Sequence, residues 1–502
     1  MSGLRKLAGQ TAIYGLSSIV GRLVNFWLFP IYTYVFLPEE YGVVTELYAY
    51  VAFLIVMLTY GMETAFFRFS SQEKDLAHRQ KIFSTSLISV FATATIFLIL
   101  SQFWMADISS WMGYEAHPEY IRYFIWIIAL DAVVTIPFAR LRLLNKPIPF
   151  ALINVGTILV NIGLNLFLIL YCPATYNNPD AFGHSFIQTW YDPSIGIGYI
   201  FIANLISSAL KFLLLSPWMK DVFMGWHRII FVKLFPYALP LSILGLAGII
   251  NETFDRAFYT RLSGLSEPVA KAQLGIYGAC YKIAMLLSIG IQAYRFAAEP
   301  FVFSLKSGTE SNKTQADIMK YYIIVASFLT LIILCFLDLI ILMIGKDFRE
   351  GRDVIPILLV SYIFFGALFN LSFWFKLNDK TKFGALIAIT GAVVTIILNV
   401  ILVPQIGYYG SAWATFAAYA AMLSLSLYLG QRLHPIPYNY RELLGYLIIA
   451  AVLYGAHRIL NLPGNYTYFT ASLASLMFLG YMFYREKNLI LKILNFGTRN
   501  HQ

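Results

Sequence analysis

Residues 383–404 read FGALIAITGAVVTIILNVILVP. The run holds no charged side chain and is bounded by Lys380 and Lys382 on one side and Gln405 on the other. About 20 apolar residues at a rise of ~1.5 Å cover the ~30 Å hydrocarbon core of a bilayer, so this stretch reads as a membrane-spanning helix. Runs of this length, rich in Leu, Ile, Ala and Gly, speak against the short alternating strands of a membrane barrel. Working outward from it, fourteen such runs can be counted. They lie near 11–36, 43–69, 81–105, 119–143, 150–171, 195–216, 234–260, 274–303, 318–344, 354–377, 383–404, 409–431, 442–460 and 467–485. The chain has 502 residues, 59% hydrophobic and 12% charged, with a mean hydropathy of +0.69. A soluble protein carries roughly 25% charged residues, so an ordinary cytosolic enzyme is excluded, and so is a disordered chain. The expected fold class is an all-α polytopic membrane protein of about fourteen transmembrane helices.

Loop charge sets the expected orientation. With a cytoplasmic N-terminus, 23 Lys and Arg residues fall in cytoplasmic segments, among them Arg5, Lys74, Arg140, Lys146, Lys233, Lys382 and Lys487. Six fall on the other face: Arg261, Lys271, Lys346, Arg349, Arg352 and Arg458. That asymmetry is the positive-inside pattern, and it places both termini in the cytoplasm. It also accounts for the net charge of +10 without nucleic-acid binding, because the charge is dispersed over short loops. No cleaved signal peptide is expected, since the first apolar run is too long and contains Arg22. Cys172, Cys280 and Cys335 show no metal-ligand spacing. Only the 172–194 loop is long enough for small extramembrane structure.

The chain carries an internal repeat. Tyr41-Gly42 matches Tyr277-Gly278 at an offset of 236, which also puts Glu63 on Glu299 and Phe67 on Phe303. Leu144-Asn145-Lys146 resembles Leu377-Asn378-Asp379, and Phe150 falls on Phe383. Asn165 falls one residue from Asn399. The shared order of the matches makes spans one to six repeat as spans seven to twelve. An even number of spans per copy gives both copies the same orientation, as in parallel-repeat transporters. The expected domains are an N-terminal six-helix lobe at 1–216, a C-terminal six-helix lobe at 217–433, and two additional helices with a cytoplasmic tail at 434–502.

A 6 + 6 + 2 arrangement resembles the polysaccharide-transporter branch of the multidrug/oligosaccharidyl-lipid/polysaccharide exporter superfamily. The opening stretch Gly15 to Tyr34, with Pro30, followed by Leu37-Pro38-Glu39-Glu40-Tyr41-Gly42, is similar to the start of those flippases. Asn165-Leu166 followed by Gly196 and Gly198, and Asn399 followed by Gly407 and Gly410, also resemble that family's recurring pattern. The resemblance implies a flippase of the bacterial cytoplasmic (inner) membrane. Its substrate would be an undecaprenyl-diphosphate-linked oligosaccharide, moved to the periplasmic leaflet by alternating access coupled to a gradient of H+ or Na+. Such export serves O-antigen (lipopolysaccharide), capsule or exopolysaccharide biosynthesis. The implied partners are the lipid-linked substrate, membrane lipids, and polymerases and glycosyltransferases of the same pathway, with no nucleic acid and no cofactor.

Charge within a span is costly and marks a cavity or a partner. In span one, Ser18, Arg22 and Asn25 share one helical face. Span seven carries Asn251, Glu252, Asp255 and Arg256, and Asn25 falls on Asn251 at an offset of 226. Span eight carries Lys282, and Ser288, Gln292, Arg295 and Glu299 form one face. Arg22, Asn25, Asn251, Arg256, Lys282 and Arg295 are the candidate substrate-binding residues, the cations suited to a diphosphate or acidic sugar. Glu63, Glu252, Asp255 and Glu299 are the candidate ion-coupling carboxylates. Structural ion pairs such as Glu252–Arg256 and Arg295–Glu299 are the competing reading. Asp131 is a further isolated acid in span four.

No nucleophile elbow, metal quartet or phosphate-binding loop is present in the sequence, so no catalytic or metal residue is assigned. A glycan polymerase or glycosyltransferase would need a catalytic motif in a sizeable outer loop. A multidrug or small-cation antiporter would favour an acidic cavity, against the cations here. A lipid II flippase stays open, because its substrate also bears a diphosphate.

Overall fold

The computed structural model describes residues 20–21, 23–24, 26–304, 309–378, 380–460, 462 and 465–499. Regular structure among them is helical throughout, as the long apolar runs require. Twelve of the helices are long and apolar enough to cross a membrane. The first expected span lies largely outside the described residues, which reach it as α1 (Leu28–Val35). The fourteenth falls within a long helix, Asn465–Arg499, which is not among the twelve.

By their contacts the residues form two compact units. The first comprises Met1–Ala279 with Ala388–Thr415. Its described helices include α2 (Pro38–Thr59), α3 (Met62–Gln72), α4 (Leu76–Phe103), α5 (Met105–Met112), α6 (Pro118–Leu143) and α7 (Pro147–Leu166). After two short helices, α8 (Cys172–Tyr176) and α9 (His184–Gln188), come α10 (Gly198–Leu215), α11 (Arg228–Ala257) and the short α12 (Tyr259–Leu262). The next helix, α13 (Glu267–Ser304), begins in this unit. Within the unit α6 packs on α2, α3, α4 and α10, and α11 runs along α2 and α3.

The second unit comprises Cys280–Ile387 and Phe416–Gln502. Its helices include α14 (Thr309–Cys335), the short α15 (Leu337–Ile340) and α16 (Val354–Leu377). The helices α17 (Thr381–Ile406) and α18 (Tyr408–Leu433) pass between the two units along the chain. The additional C-terminal helices are α19 (Tyr440–Leu460) and α20 (Asn465–Arg499). Both pack on α14, so this pair is seated on the helix expected as span nine. Lys320 and Glu486 pair at 2.9 Å there, and Tyr446 donates to the same carboxylate at 3.0 Å.

The matched asparagines do matching work. The Asn165 amide donates to the Asn161 carbonyl at 2.7 Å, and its oxygen accepts from the Tyr32 hydroxyl at 2.8 Å. The Asn399 amide donates to the Thr395 carbonyl at 2.8 Å, and its oxygen accepts from Ser411 at 3.1 Å. In each copy a fully buried asparagine binds the carbonyl one turn back and ties in a neighbouring helix. Inside a bilayer that satisfies both ends of a costly polar side chain.

Span two differs from the expected continuous helix. It breaks at Tyr60 and Gly61, which have φ of 35° and 75°. An added Cβ at Gly61 would stand 2.3 Å from the Ala238 carbonyl oxygen of α11. A positive φ and a close backbone neighbour both require glycine. Gly61→Ala therefore loses about 1–3 kcal/mol of stability. It lowers the thermal midpoint of the purified protein in detergent, and an unchanged midpoint would show that the break tolerates a side chain.

Candidate functional site

Glycines in and beside the Tyr-Gly pairs mark a close helix approach in the first unit. A Cβ on Gly42 of α2 would lie 1.9 Å from the Lys271 carbonyl oxygen of α13. A Cβ on Gly275 would lie 1.9 Å from the Pro38 carbonyl oxygen, and one on Gly278 would lie 2.5 Å from Thr45 Oγ1. Three glycines thus let α2 cross the first turns of α13 with backbone against backbone.

A buried carboxylate sits beside this crossing. Glu46 of α2 is 1% exposed. It accepts a hydrogen bond from the Tyr114 hydroxyl at 2.6 Å and another from the Thr260 hydroxyl. The Lys271 ammonium lies 3.9 Å from the Tyr114 ring centre, donates to the Gly113 carbonyl at 3.0 Å and pairs with Glu267. Burial and the facing carboxylates hold the Tyr114 hydroxyl well above its ordinary pKa, so it stays a donor. Glu46 is visible in the sequence as an acid near a span end. Its partners, 68 and 214 residues away, are not.

The polar group of span seven lies at the C-terminal end of α11. Asn251 and Asp255 are buried, one turn apart. The Asn251 amide donates to the Ala388 carbonyl at 3.1 Å, and its oxygen accepts from Thr395 at 3.3 Å. Asp255 accepts from the Tyr277 hydroxyl at 2.6 Å and from the Arg256 backbone N–H at 2.9 Å. Arg256 Nε lies 3.5 Å from Asp255 Oδ1, and the guanidinium donates to the Glu252 backbone carbonyl. So Asp255 is the carboxylate contact of Arg256, and Glu252 engages it through its main chain. The Glu252 residue itself is exposed.

A second charged cluster lies in the second unit, at the far ends of α13 and α16. Glu299 lies 3.6 Å from Arg295 and 3.3 Å from Lys376. Both cations also approach the Phe369 ring, at 4.9 Å for Arg295 and 5.1 Å for Lys376. One carboxylate therefore serves two cations, and the Arg295 side chain is 51% exposed. The expected Arg295–Glu299 contact is present, and Lys376, a loop charge by its sequence position, joins it.

The remaining candidates are dispersed. Glu63 pairs with Arg142 of α6, both side chains being half-exposed. Asp131 is not isolated, because Lys211 of α10 reaches it at 2.9 Å. Lys211 is legible as the one lysine in span six, and an acid in one span with a base in another is a pairing signal. Lys282 is half-buried in the second unit. Arg22 and Asn25 lie outside the described residues. Cys172, Cys280 and Cys335 are buried and form no disulfide. No group of His, Cys, Asp and Glu suited to a metal ion occurs among the described residues.

Comparison with known proteins places this geometry in a family. Residues 7–306 match the family described as polysaccharide biosynthesis protein. A structure of the lipid II flippase MurJ in an inward closed conformation aligns with 95% of this chain and 99% of its own, with a TM-score of 0.70 at 14% identity. An inward-facing multidrug resistance MATE family transporter of the MOP superfamily aligns with 84% of this chain and 94% of its own, with a TM-score of 0.64 at 14% identity. The MATE multidrug transporter DinF-BH aligns with 85% of this chain and 96% of its own, with a TM-score of 0.59 at 16% identity. No curated protein matches the sequence. The family match covers more than half of the chain, and the structural neighbours are flippases and transporters of one fold. The chain belongs to the polysaccharide biosynthesis protein family and has the all-helical, multi-pass membrane fold of MOP-superfamily transporters.

Proposed function

We propose that this protein is a flippase for an undecaprenyl-diphosphate-linked oligosaccharide. It carries the substrate from the cytoplasmic to the periplasmic leaflet of the bacterial inner membrane, by alternating access and without catalysing a covalent step. The product serves O-antigen, capsule or exopolysaccharide assembly, handed on to polymerases and glycosyltransferases of the same pathway. The observation that carries the anionic substrate is the cluster at Glu299. Among the described residues, two cations on one carboxylate leave a unit of positive charge over, and Arg295 is half-exposed to meet an anion. A diphosphate is the complement of that excess, and an arginine fork binds it in two places. Arg22, Asn25, Asn251, Arg256 and Lys282 complete the proposed substrate contacts. Glu63, Glu252, Asp255 and Glu299 are the proposed coupling carboxylates, for H+ or Na+. Of these we favour Asp255, which is buried between a hydroxyl and a guanidinium, over Glu63, which is half-exposed and ion-paired.

Transport is read in proteoliposomes with a fluorescent undecaprenyl-diphosphate saccharide and a membrane-impermeant quencher. Removing one charged hydrogen bond costs about 1.5–3 kcal/mol, so Arg295→Ala or Lys376→Ala weakens substrate affinity roughly 10- to 100-fold. Equal transport by both variants at equal abundance excludes the cationic site. Transport of lipid II with undiminished rate in place of the saccharide-linked carrier moves the assignment to a lipid II flippase.

In the same vesicles, Asp255→Asn makes transport insensitive to an imposed pH or Na+ gradient, whereas Glu63→Gln leaves the gradient dependence intact. The reverse pattern transfers coupling to Glu63. The proposed orientation is read from single cysteines. A cysteine at Lys74 is labelled from the cytoplasm and one at Arg261 from the periplasm, and the opposite result inverts the assignment.

A further inference from the structure

The first unit contains an apolar crevice of about 500 Å³ that the transport reading does not use. That volume lies in the range of small-ligand pockets, ~300–1,000 Å³. Its walls come from α2, α4, α5, α6 and α11, and Met57, Phe97, Trp111, Ile125 and Phe254 are representative. On α2 the lining runs from Leu47 to Met57. Ten residues of helix rise about 15 Å, half of the ~30 Å hydrocarbon core. The crevice is therefore one leaflet deep. Almost nothing polar faces it, Ser101 and Tyr50 being the polar residues of its wall.

The end of the crevice nearest the α5–α6 and α12 turns carries a cation. The Arg261 guanidinium lies 5.1 Å from the centre of the Trp111 ring, which itself forms part of the wall. Arg261 is exposed, and beyond the indole it acts electrostatically on the buried Glu46 carboxylate. A guanidinium over an indole at the mouth of an apolar slot one leaflet deep matches an amphiphile with an anionic head and a hydrocarbon chain. Interfacial Trp residues commonly sit at that level of a bilayer.

We propose that this crevice is a binding site for an anionic glycerophospholipid, whose acyl chain fills the slot while its phosphate meets Arg261. The site is distinct from the Glu299 cluster and does not depend on which substrate is exported. Because its walls include α2 and α11, an occupying chain contacts both helices that flank the Glu46 network.

The test uses the full-length protein in nanodiscs containing either phosphatidylglycerol or phosphatidylcholine, each with a photoactivatable acyl chain. Crosslinked peptides are mapped by mass spectrometry. Phosphatidylglycerol labels the α2, α4 and α6 segments around Met57, Phe97 and Ile125 several-fold more than phosphatidylcholine does. Ile125→Trp fills the slot and reduces that labelling to the level of the outward lipid-facing surface. Met57→Trp, at a half-exposed rim position, does the same and guards against a folding defect in the first variant. Arg261→Gln removes the preference for phosphatidylglycerol but leaves chain labelling. Equal labelling by both lipids in the wild type overturns the proposal, as does labelling unchanged in both tryptophan variants. So does displacement of the phospholipid by a stoichiometric polyprenyl diphosphate, which would make the crevice a carrier-tail site.

Discussion

Helices α2 and α13 cross with glycines at their points of contact. At Gly42 and Gly275 the facing atom is a backbone carbonyl oxygen, closer than any Cβ could tolerate. Within a bilayer there is no hydrophobic gain from bringing helices together, so close van der Waals contact and interhelical hydrogen bonds must do it. The glycines provide the first, and the Glu46 network beside them provides the second. The positions of α5, α12 and the start of α13 follow from it. Tyr114 and Thr260 reach Glu46 only because α2 lies beside them.

The same constraint governs the charges. Asp131 meets Lys211, Glu63 meets Arg142, Lys320 meets Glu486, and Asp255 meets Arg256. Each pair is one solution to the cost of ionised groups away from water. A pair that balances has little left to offer a ligand. The Glu299 cluster is different because, among the described residues, it has two cations for one acid. For an anionic ligand, uncompensated charge with an exposed head group is a better sign than burial.

The fold is legible in the sequence because its determinants are local. A run such as 383–404 declares a span within its own 22 residues, and loop lysines add an expected orientation. The matches of Tyr41-Gly42 with Tyr277-Gly278 and of Asn165 with Asn399 fall where close packing and buried amides restrict the residue type. The break at Tyr60-Gly61 is hidden, since a glycine in an apolar helix usually marks packing and the surrounding residues remain apolar. The pairings are hidden for another reason. Lys211 is 80 residues from Asp131 and Lys376 is 77 from Glu299, so neither partner can be chosen before the helices are placed. The site at Arg22 and Asn25 stays a reading of spacing alone.

Under the alternating-access cycle proposed above, the crossing of α2 and α13 would act as a closure of two positions. Backbone contacts of this kind are made or lost as packed surfaces separate, because a close-packed interface does not stretch. On that proposal, opening the crossing would remove the glycine contacts and expose the neighbouring Glu46 hydrogen bonds to water. Each hydrogen bond to a charged group contributes about 1.5–3 kcal/mol, so the closed arrangement has a real margin. A substrate can overcome it only through the difference in its affinity for the two arrangements, not through affinity as such. A diphosphate held weakly by a half-exposed arginine before opening, and more completely afterwards, would supply that difference. A tightly preformed anion pocket would not. For the substrate proposed here, the partial exposure of Arg295 is what a carrier, as opposed to a receptor, would require.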